Sequence, residues 1–301
     1  MIAWDFSVSR ILLIIPYFGS WPFWLNFFLL SCRWNPTVNW LIIGDSTPPT
    51  DAPANVEFRQ VGYMDYLAFV RARLGIPFDP VRPYKLCDLK PMYGYLHEED
   101  LSGYEFWGFC DLDVVFGDLR RFLTPEVLRH DVIATHDTRI SGHFSLLRNT
   151  RLLREAFRRI PDWADKVCDQ KSQRLDEAAF SKLFLRYKRW PQHLRKWLPG
   201  ANPLGVSTLF CERFSTPQCR IAWVDGSRDF PSEWYWQDGV LNNDRSEHSF
   251  MYFHFLYWKQ NHWKREYKAE GGHLTQGEAQ CFVPGPDCRF FRVSREGFHG
   301  N

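Results

Sequence analysis

Short apolar runs, each ended by a turn-forming residue, divide the first half of the chain. Residues 11–15, 40–43 and 106–110 are apolar over four or five positions and stop at proline, glycine or aspartate. Runs of this length with such boundaries are typical of buried β-strands. We predict further strands at residues 132–134, 144–147, 208–211, 221–224 and 251–255.

Helical spacing separates several of these runs. Tyr63, Leu67, Val70 and Leu74 repeat every three or four positions, and Gly75 followed by Pro77 ends that helix. Further helices are expected after the loop at residues 16–22 and over residues 150–159 and 176–188. Alternating strands and helices predict an α/β fold, with a mainly parallel sheet flanked by helices.

The second half of the chain is less regular, and no internal repeat or low-complexity linker interrupts it. We therefore expect a single integrated domain with two halves, residues 1–150 and 151–301. Ligands of such parallel sheets bind beyond the carboxyl ends of the strands.

Residues 11–32 are long enough to cross a membrane, but their polarity is wrong for it. Five residues interrupt the apolar stretch, namely Pro16, Gly19, Ser20, Pro22 and Asn26. Residues 11–15 alone are too short for a signal-peptide core, and the only positive residue near them is Arg10. Eight cysteines without a CxxC pair favour a reduced, cytoplasmic chain over a zinc ribbon. Trp21, Phe23 and Trp24 leave open a peripheral contact at the inner face of the membrane.

Net charge and aromatic content limit the classes of partner that the chain is expected to bind. The net charge is +2 and no long basic run is present, which argues against nucleic acid as a partner. Aromatic residues make up 17% of the chain, and they can fill a core, stack on sugars or touch a membrane surface.

Two carboxylates stand in the apolar segment WGFCDLDVVFGDL. In a strand, Asp111 and Asp113 would share a face, where ionised neighbours repel unless a cation lies between them. Three interpretations stay open. In the first, backbone N–H groups or Arg120 and Arg121 satisfy the pair. In the second, the pair resembles the motif of the haloacid-dehalogenase phosphotransferases, with Asp111 as nucleophile. In the third, the pair binds the metal of a nucleotide-sugar glycosyltransferase.

The later segment YFHFLYWKQNHW favours the third interpretation. His254 and Lys259 stand five positions apart, and Trp263 follows. This resembles the glycogenin-like and lipopolysaccharide galactosyltransferase families, although their glycine and proline are missing here. The resemblance implies that His254 completes a metal site and that Lys259 binds the donor diphosphate.

Other segments match those families in the expected order. They are PYKLCDLKP, which carries Lys85 and Lys90, the glycine-led GHFSLLRN at residues 142–149, and LDEAAF, which carries Asp176 and Glu177. Together they span about residues 10–263. The chain also resembles uncharacterised bacterial glycosyltransferase-like proteins associated with surface polysaccharide genes. The resemblance implies a GT-A, Rossmann-like sheet that binds a nucleotide sugar, with an acceptor side in the less regular C-terminal half.

The resemblance also implies an assignment of roles. Mn²⁺ or Mg²⁺ would bind Asp111, Asp113 and His254. A nucleoside-diphosphate sugar would contact Pro16, Tyr17, Asp45, Lys85, Lys90 and Lys259. Asp176, Glu177 and Asp238 would serve the donor sugar or the acceptor, one of them as base in an inverting reaction, and Trp234, Tyr235 and Trp236 would offer aromatic faces.

The acceptor would be a glycan or a lipid-linked sugar. A phosphatase that uses Asp111 and a non-catalytic carbohydrate-binding protein stay as alternatives.

Overall fold

The computed structural model describes residues 9–187, 190–195, 197–198, 200–214, 226, 231–254, 280–294 and 297–300. The strands in these ranges are β1 Ile11–Pro16, β2 Val38–Gly44, β3 Val56–Gln60, β4 Phe106–Cys110, β5 Val114–Phe116, β6 Val132–Ala134, β7 Phe144–Arg148, β8 Thr208–Phe210, β9 Glu233–Gln237, β10 Val240–Asn243, β11 Ser246–Phe250, β12 Tyr252–His254, β13 Gln280–Cys281, β14 Phe290–Ser294 and β15 Gly297–His299.

The α-helices are α1 Leu25–Arg33, α2 Tyr63–Leu74, α3 Tyr93–Leu96, α4 Leu119–Phe122, α5 Arg151–Arg154, α6 Trp163–Cys168 and α7 Gln192–Arg195. Helices of the 3-10 type cover Pro83–Met92, Glu98–Leu101, Val127–Arg129, Ala156–Arg159, Ser181–Leu183 and Glu212–Phe214. Asp176–Phe180 is π-helical.

A seven-stranded sheet, in the order β3-β2-β1-β4-β7-β6-β8, forms the centre of the molecule. Strand β7 is antiparallel to both of its neighbours, and the other described pairs are parallel. Six of these seven strands therefore run in one direction, and their carboxyl ends lie at one edge. The predicted α/β class is confirmed.

Both faces of this sheet are covered, which explains why its strands are apolar without alternation. On β1, Leu12 and Ile14 pack with α2 and the Pro83–Met92 helix. Ile11, Leu13 and Ile15 face the other way and pack with α1.

A second sheet, in the order β11-β10-β9-β14-β15-β13, packs on the far side of α1. Phe27 of α1 meets Phe291 and Phe298 of this sheet. Trp234 and Trp236 are 1% and 0% exposed, so they belong to this core and offer no face to a sugar. Strands β5 and β12 form a separate two-stranded ladder.

Most predicted elements are present, but two predicted helices are wrong in length. Residues 150–159 form α5 and then a 3-10 turn, since the tighter winding buries Ala156 and Phe157. Residues 176–188 do not form one helix, because the Ser181 hydroxyl donates to the Asp176 carbonyl and competes with the helical ladder. The predicted strand at 221–224 lies outside the described residues.

The apolar N-terminal segment folds into the protein. Trp21 stacks on Tyr17, and its indole N–H donates to the Thr47 carbonyl. Phe23 packs edge-on against Phe298. Among the described residues, no helix combines the length and the hydropathy needed to span a bilayer.

Candidate metal and sugar-nucleotide site

Three strands of the main sheet end side by side where the predicted site residues begin. Strand β1 ends at Pro16, β2 is followed by Asp45, and β4 is followed by Asp111. Because β7 is antiparallel to β4, Phe144 pairs with Cys110 and the preceding His143 reaches the same edge. The carboxyl edge of the sheet thus gathers residues from four separate segments.

Asp111 and Asp113 lie in the bend between β4 and β5, not inside a strand as the alternation argument assumed. Leu112 between them is buried, and both carboxylates are partly exposed. The bend, and not strand alternation, is what places the two carboxylates together.

The β5–β12 ladder brings His254 to this bend. His254 pairs in register with Val114, the residue that follows Asp113. The His254 Nε2 atom lies 3.5 Å from Asp113 Oδ1. One ligand atom each from Asp111, Asp113 and His254 lie within 4.8 Å of one another.

The donor set fits a divalent cation such as Mn²⁺ or Mg²⁺. Carboxylate oxygens are ligands that both ions accept, and imidazole nitrogen is a common further ligand. His254 is 6% exposed, and its Nδ1 is a buried nitrogen without a hydrogen-bond partner among the described residues. The ring nitrogen that faces Asp113 is Nε2, so Nε2 is the atom that His254 would offer to a cation.

The His254 ring stacks on His143, and hydrogen bonds hold His143 in place. The His143 and His254 rings stack with centroids 4.5 Å apart. His143 Nδ1 lies 2.6 Å from the Tyr252 hydroxyl, which in turn lies 2.5 Å from Thr135 Oγ1. Burial, then the nearby His254 and Lys90, hold the His143 pKa well below its usual value, so this ring is neutral.

Lys90 is a buried cation that links the carboxylates. Its Nζ donates to Asp111 Oδ1 at 2.6 Å and to the Gly142 carbonyl at 2.9 Å. Burial opposes its charge, but Asp111, Cys87 and Asp176 outweigh that effect and raise the Lys90 pKa well above its usual value. Lys90 therefore stays charged and fixes the position of Asp111.

Gly142 lets Asp176 and Glu177 approach this cation. A Cβ atom at Gly142 would lie 2.9 Å from Asp176 Oδ2 and 3.4 Å from Lys90 Nζ. The same Cβ would lie 3.7 Å from Glu177 Oε1. Glu177 is further held by Arg174 and by Arg139, whose Nη1 lies 3.6 Å away.

Burial raises the pKa of Asp176 to about 6, although Lys90 counteracts the rise. The folded protein therefore binds more protons than the unfolded chain between about pH 4 and 6, and its free energy of unfolding falls as the pH rises through that window. Asp176→Asn removes this dependence. In EDTA, its stability relative to wild type should increase by about 3 kcal/mol between pH 4 and pH 7.5, measured by urea unfolding.

Asp51→Asn, at an exposed loop position, is the control for the same charge change and should show no such trend. A stability difference for Asp176→Asn that does not vary with pH would mean that the folded carboxyl titrates normally.

The loops after β1 and β2 are tied to each other. Asp45 Oδ1 accepts from the Gly19 N–H at 2.8 Å, and Ser46 Oγ donates to the Gly19 carbonyl. A Cβ atom at Gly44 would lie 2.1 Å from the Tyr17 carbonyl oxygen, so only glycine allows this approach. Pro16, Tyr17 and Asp45 thus form one rigid rim beside the carboxylate pair.

Two predicted site residues are not brought to this rim. The Lys85 ammonium donates to Asp88 and to the carbonyls of Lys166 and Lys171, which uses its three N–H groups to anchor these segments.

Asp238 lies in the β9–β10 turn and pairs with Arg289. The adjacent Gly239 packs on Trp34, at the end of α1 that leads into β2, hence at the opposite edge of the sheet. Lys259 lies outside the described residues.

Some residues of the site were not predicted in their observed roles. Tyr252, Thr135 and Ser141 support the His143 ring, and Arg139 and Arg174 hold Glu177. The alternation of β12, with Tyr252 and His254 on one face, was the available signal for Tyr252. Arg139 carries no pattern, since its contact depends on a distant turn.

Comparisons with solved structures give only remote similarity. The glycosyltransferase GlyE of Streptococcus pneumoniae TIGR4 aligns at 10% identity and a TM-score of 0.32, over 67% of this chain and 45% of that one. This chain thus spans less than half of GlyE. Mouse xyloside xylosyltransferase 1, in its apo form, aligns at 10% identity and a TM-score of 0.31, over 68% and 79% of the two chains.

No curated protein matches the chain at a significant level. A family profile matches residues 13–280, which include the strand ends, the carboxylate pair and His254. The chain belongs to DUF6625, a family of unknown function.

Proposed function

We propose that this protein is a metal-dependent glycosyltransferase. It moves a sugar from a nucleoside-diphosphate sugar to a hydroxyl of a glycan or lipid-linked acceptor, in the synthesis of a surface polysaccharide or another glycan. The observation that carries the proposal is the grouping of Asp111, Asp113 and His254 at the carboxyl edge of the sheet.

The three grouped residues would hold Mn²⁺ or Mg²⁺. The cation would neutralise the donor diphosphate and stabilise the leaving nucleoside diphosphate as the glycosidic bond breaks. Lys90 holds Asp111 in place, and the stacked His143 orients the His254 ring. Lys259 contributes a further positive charge to the diphosphate, as the resemblance implies.

The rim of Pro16, Tyr17 and Asp45 would receive the nucleoside. The Tyr17 ring stacks on Trp21 with centroids 5.5 Å apart, so its orientation is set before any ligand binds. The hydrogen bond from the Gly19 N–H to Asp45 joins the two loops before a donor binds. Such preorganisation lowers the entropy lost when a donor binds.

Asp176 and Glu177 would act on the sugar side of the site. A carboxyl with a pKa of about 6 accepts a proton near neutral pH more readily than an ordinary aspartate. In an inverting reaction Asp176 would take the proton of the acceptor hydroxyl. In a retaining reaction both carboxylates would hold the donor sugar by hydrogen bonds.

Nucleoside-diphosphate release from a panel of UDP-, GDP- and other nucleotide sugars tests the proposal, because slow donor hydrolysis needs no acceptor. We expect release from one donor, loss of release in EDTA, and recovery with Mn²⁺ or Mg²⁺. Donor binding without turnover, in the presence of a matching acceptor pool, would support a carbohydrate-binding protein instead. If no donor binds with either metal, the proposal fails, and phosphate release from a phosphomonoester would support the phosphatase.

A further inference from the structure

A basic and aromatic segment follows Asp176 in the chain, and its two ends are joined by backbone hydrogen bonds. Residues 187–200, here called the aromatic loop, leave and rejoin the fold at one point, where the Arg186 N–H donates to the Ala201 carbonyl at 2.8 Å. Beside this neck, the Leu204 N–H donates to the Leu183 carbonyl. These two backbone hydrogen bonds close the base of the loop.

The aromatic loop exposes large apolar side chains. Trp190, Leu194 and Trp197 are 52%, 43% and 77% exposed. Leu194 lies in the short helix α7, Gln192–Arg195, and the two tryptophans lie just before and just after that helix. Turns within the loop support this arrangement, since the Leu194 carbonyl accepts from the Trp197 N–H.

The charged residues of this segment are all basic, unlike those of the whole chain. No aspartate or glutamate occurs between Glu177 and Glu212, whereas six cations do: Lys182, Arg186, Lys188, Arg189, Arg195 and Lys196. The complete chain carries 37 basic and 35 acidic residues. Exposed tryptophan and leucine, in a segment whose formally charged residues are all basic, complement an anionic lipid surface.

We propose that the aromatic loop docks the protein on the surface of an anionic bilayer. Trp190, Leu194 and Trp197 would enter the interface between headgroups and acyl chains, and the basic residues would contact lipid phosphates. This surface differs from the one suggested by Trp21, Phe23 and Trp24, which are packed against the protein. Lipid binding by the loop does not depend on the proposed transferase activity.

Co-sedimentation with vesicles tests this proposal. The full chain should bind vesicles of equal parts phosphatidylcholine and phosphatidylglycerol, bind pure phosphatidylcholine weakly, and dissociate as salt screens the charges. Trp190→Ser with Trp197→Ser should lower the partition coefficient about tenfold or more, because two exposed indoles no longer leave water. Lys188→Glu with Arg189→Glu should lower it by a similar factor on the anionic vesicles alone.

The matched control is Met64→Ser with Val81→Ser, at apolar positions that are 61% and 82% exposed elsewhere on the surface. It should bind as wild type does, and thermal unfolding verifies that all variants fold. Absent binding to the anionic vesicles, or equal binding by wild type and the loop variants, overturns the proposal. A concentration-dependent dimer that the tryptophan variant loses also overturns it, since the loop would then be an interface between two copies.

Discussion

Asp113→Asn is expected to abolish metal-dependent donor turnover while the protein stays folded. Asp113 supplies one of three clustered ligand atoms, and the substitution removes its charge without changing its size. Asp111 is a less suitable target, because its loss would also leave Lys90 without its closest counter-ion. The result at Asp113 therefore reports on the cation and not on the fold.

Metal affinity measures this effect without any donor. Outer-shell changes at metal sites cost about 10- to 100-fold in affinity, so a lost ligand should weaken Mn²⁺ binding by about 100-fold or more. Electron paramagnetic resonance of free Mn²⁺ gives this ratio directly. Asp65→Asn, an exposed position on α2, is the control and should bind Mn²⁺ as wild type does.

His254→Ala should weaken Mn²⁺ binding in the same direction, since its imidazole faces Asp113 across the β5–β12 ladder. Unchanged Mn²⁺ affinity in both variants would show that the three residues hold no cation. Activity that survives both substitutions would contradict the proposed role of the metal, even if Mn²⁺ binds elsewhere.

Local patterns in the sequence were sufficient for six of the seven strands of the main sheet and for α2, whereas β3 was not predicted. Apolar runs that end in proline, glycine or aspartate became β1, β2 and β4, because both faces of a covered sheet select apolar residues. Gly75 ends α2 with a φ of +68°, a conformation that glycine adopts without a Cβ penalty.

The second sheet was missed although it has a clear alternation. Along β9, Trp234 and Trp236 are buried while Glu233, Tyr235 and Gln237 alternate with them. The tryptophans were interpreted as exposed faces for a sugar, because period two gives the sides of a strand but not which side is covered. The covering element is α1, about two hundred positions away in the chain.

The candidate site shows the same division between local and distant information. The Asp111–Asp113 motif and His254 could be expected from motif spacing and resemblance, and the structure places them together. The link from Lys90 to Gly142 and the opposite position of Asp238 depend on turns that no local pattern encodes. Motif spacing and resemblance therefore anticipated the grouping of Asp111, Asp113 and His254 better than the groups that position them.

Lys90→Met should lower the free energy of unfolding by about 3 kcal/mol at pH 7.5. Removing one partner of a buried ion pair costs about 3–5 kcal/mol, and the lower end applies because the Asp111 side chain is 32% exposed and keeps some water. The substitution also leaves the Gly142 carbonyl without the Lys90 donor. Lys182→Met, at an exposed position, is the matched control and should change stability by less than about 0.5 kcal/mol.

The pH dependence of this loss separates charge from packing. Lys90 lowers the pKa of Asp176, so without Lys90 the buried carboxyl takes up its proton at a higher pH than in wild type. Protonation removes the unpaired charge, and the destabilisation by Lys90→Met should therefore be smaller at pH 5 than at pH 7.5. Urea unfolding at both pH values measures the difference. In the double variant Lys90→Met with Asp111→Asn, the two losses should be less than additive, because neither charge is then left alone. Additive losses that do not vary with pH would mean that Lys90 acts through packing, and that the carboxylates of the site are held by other groups.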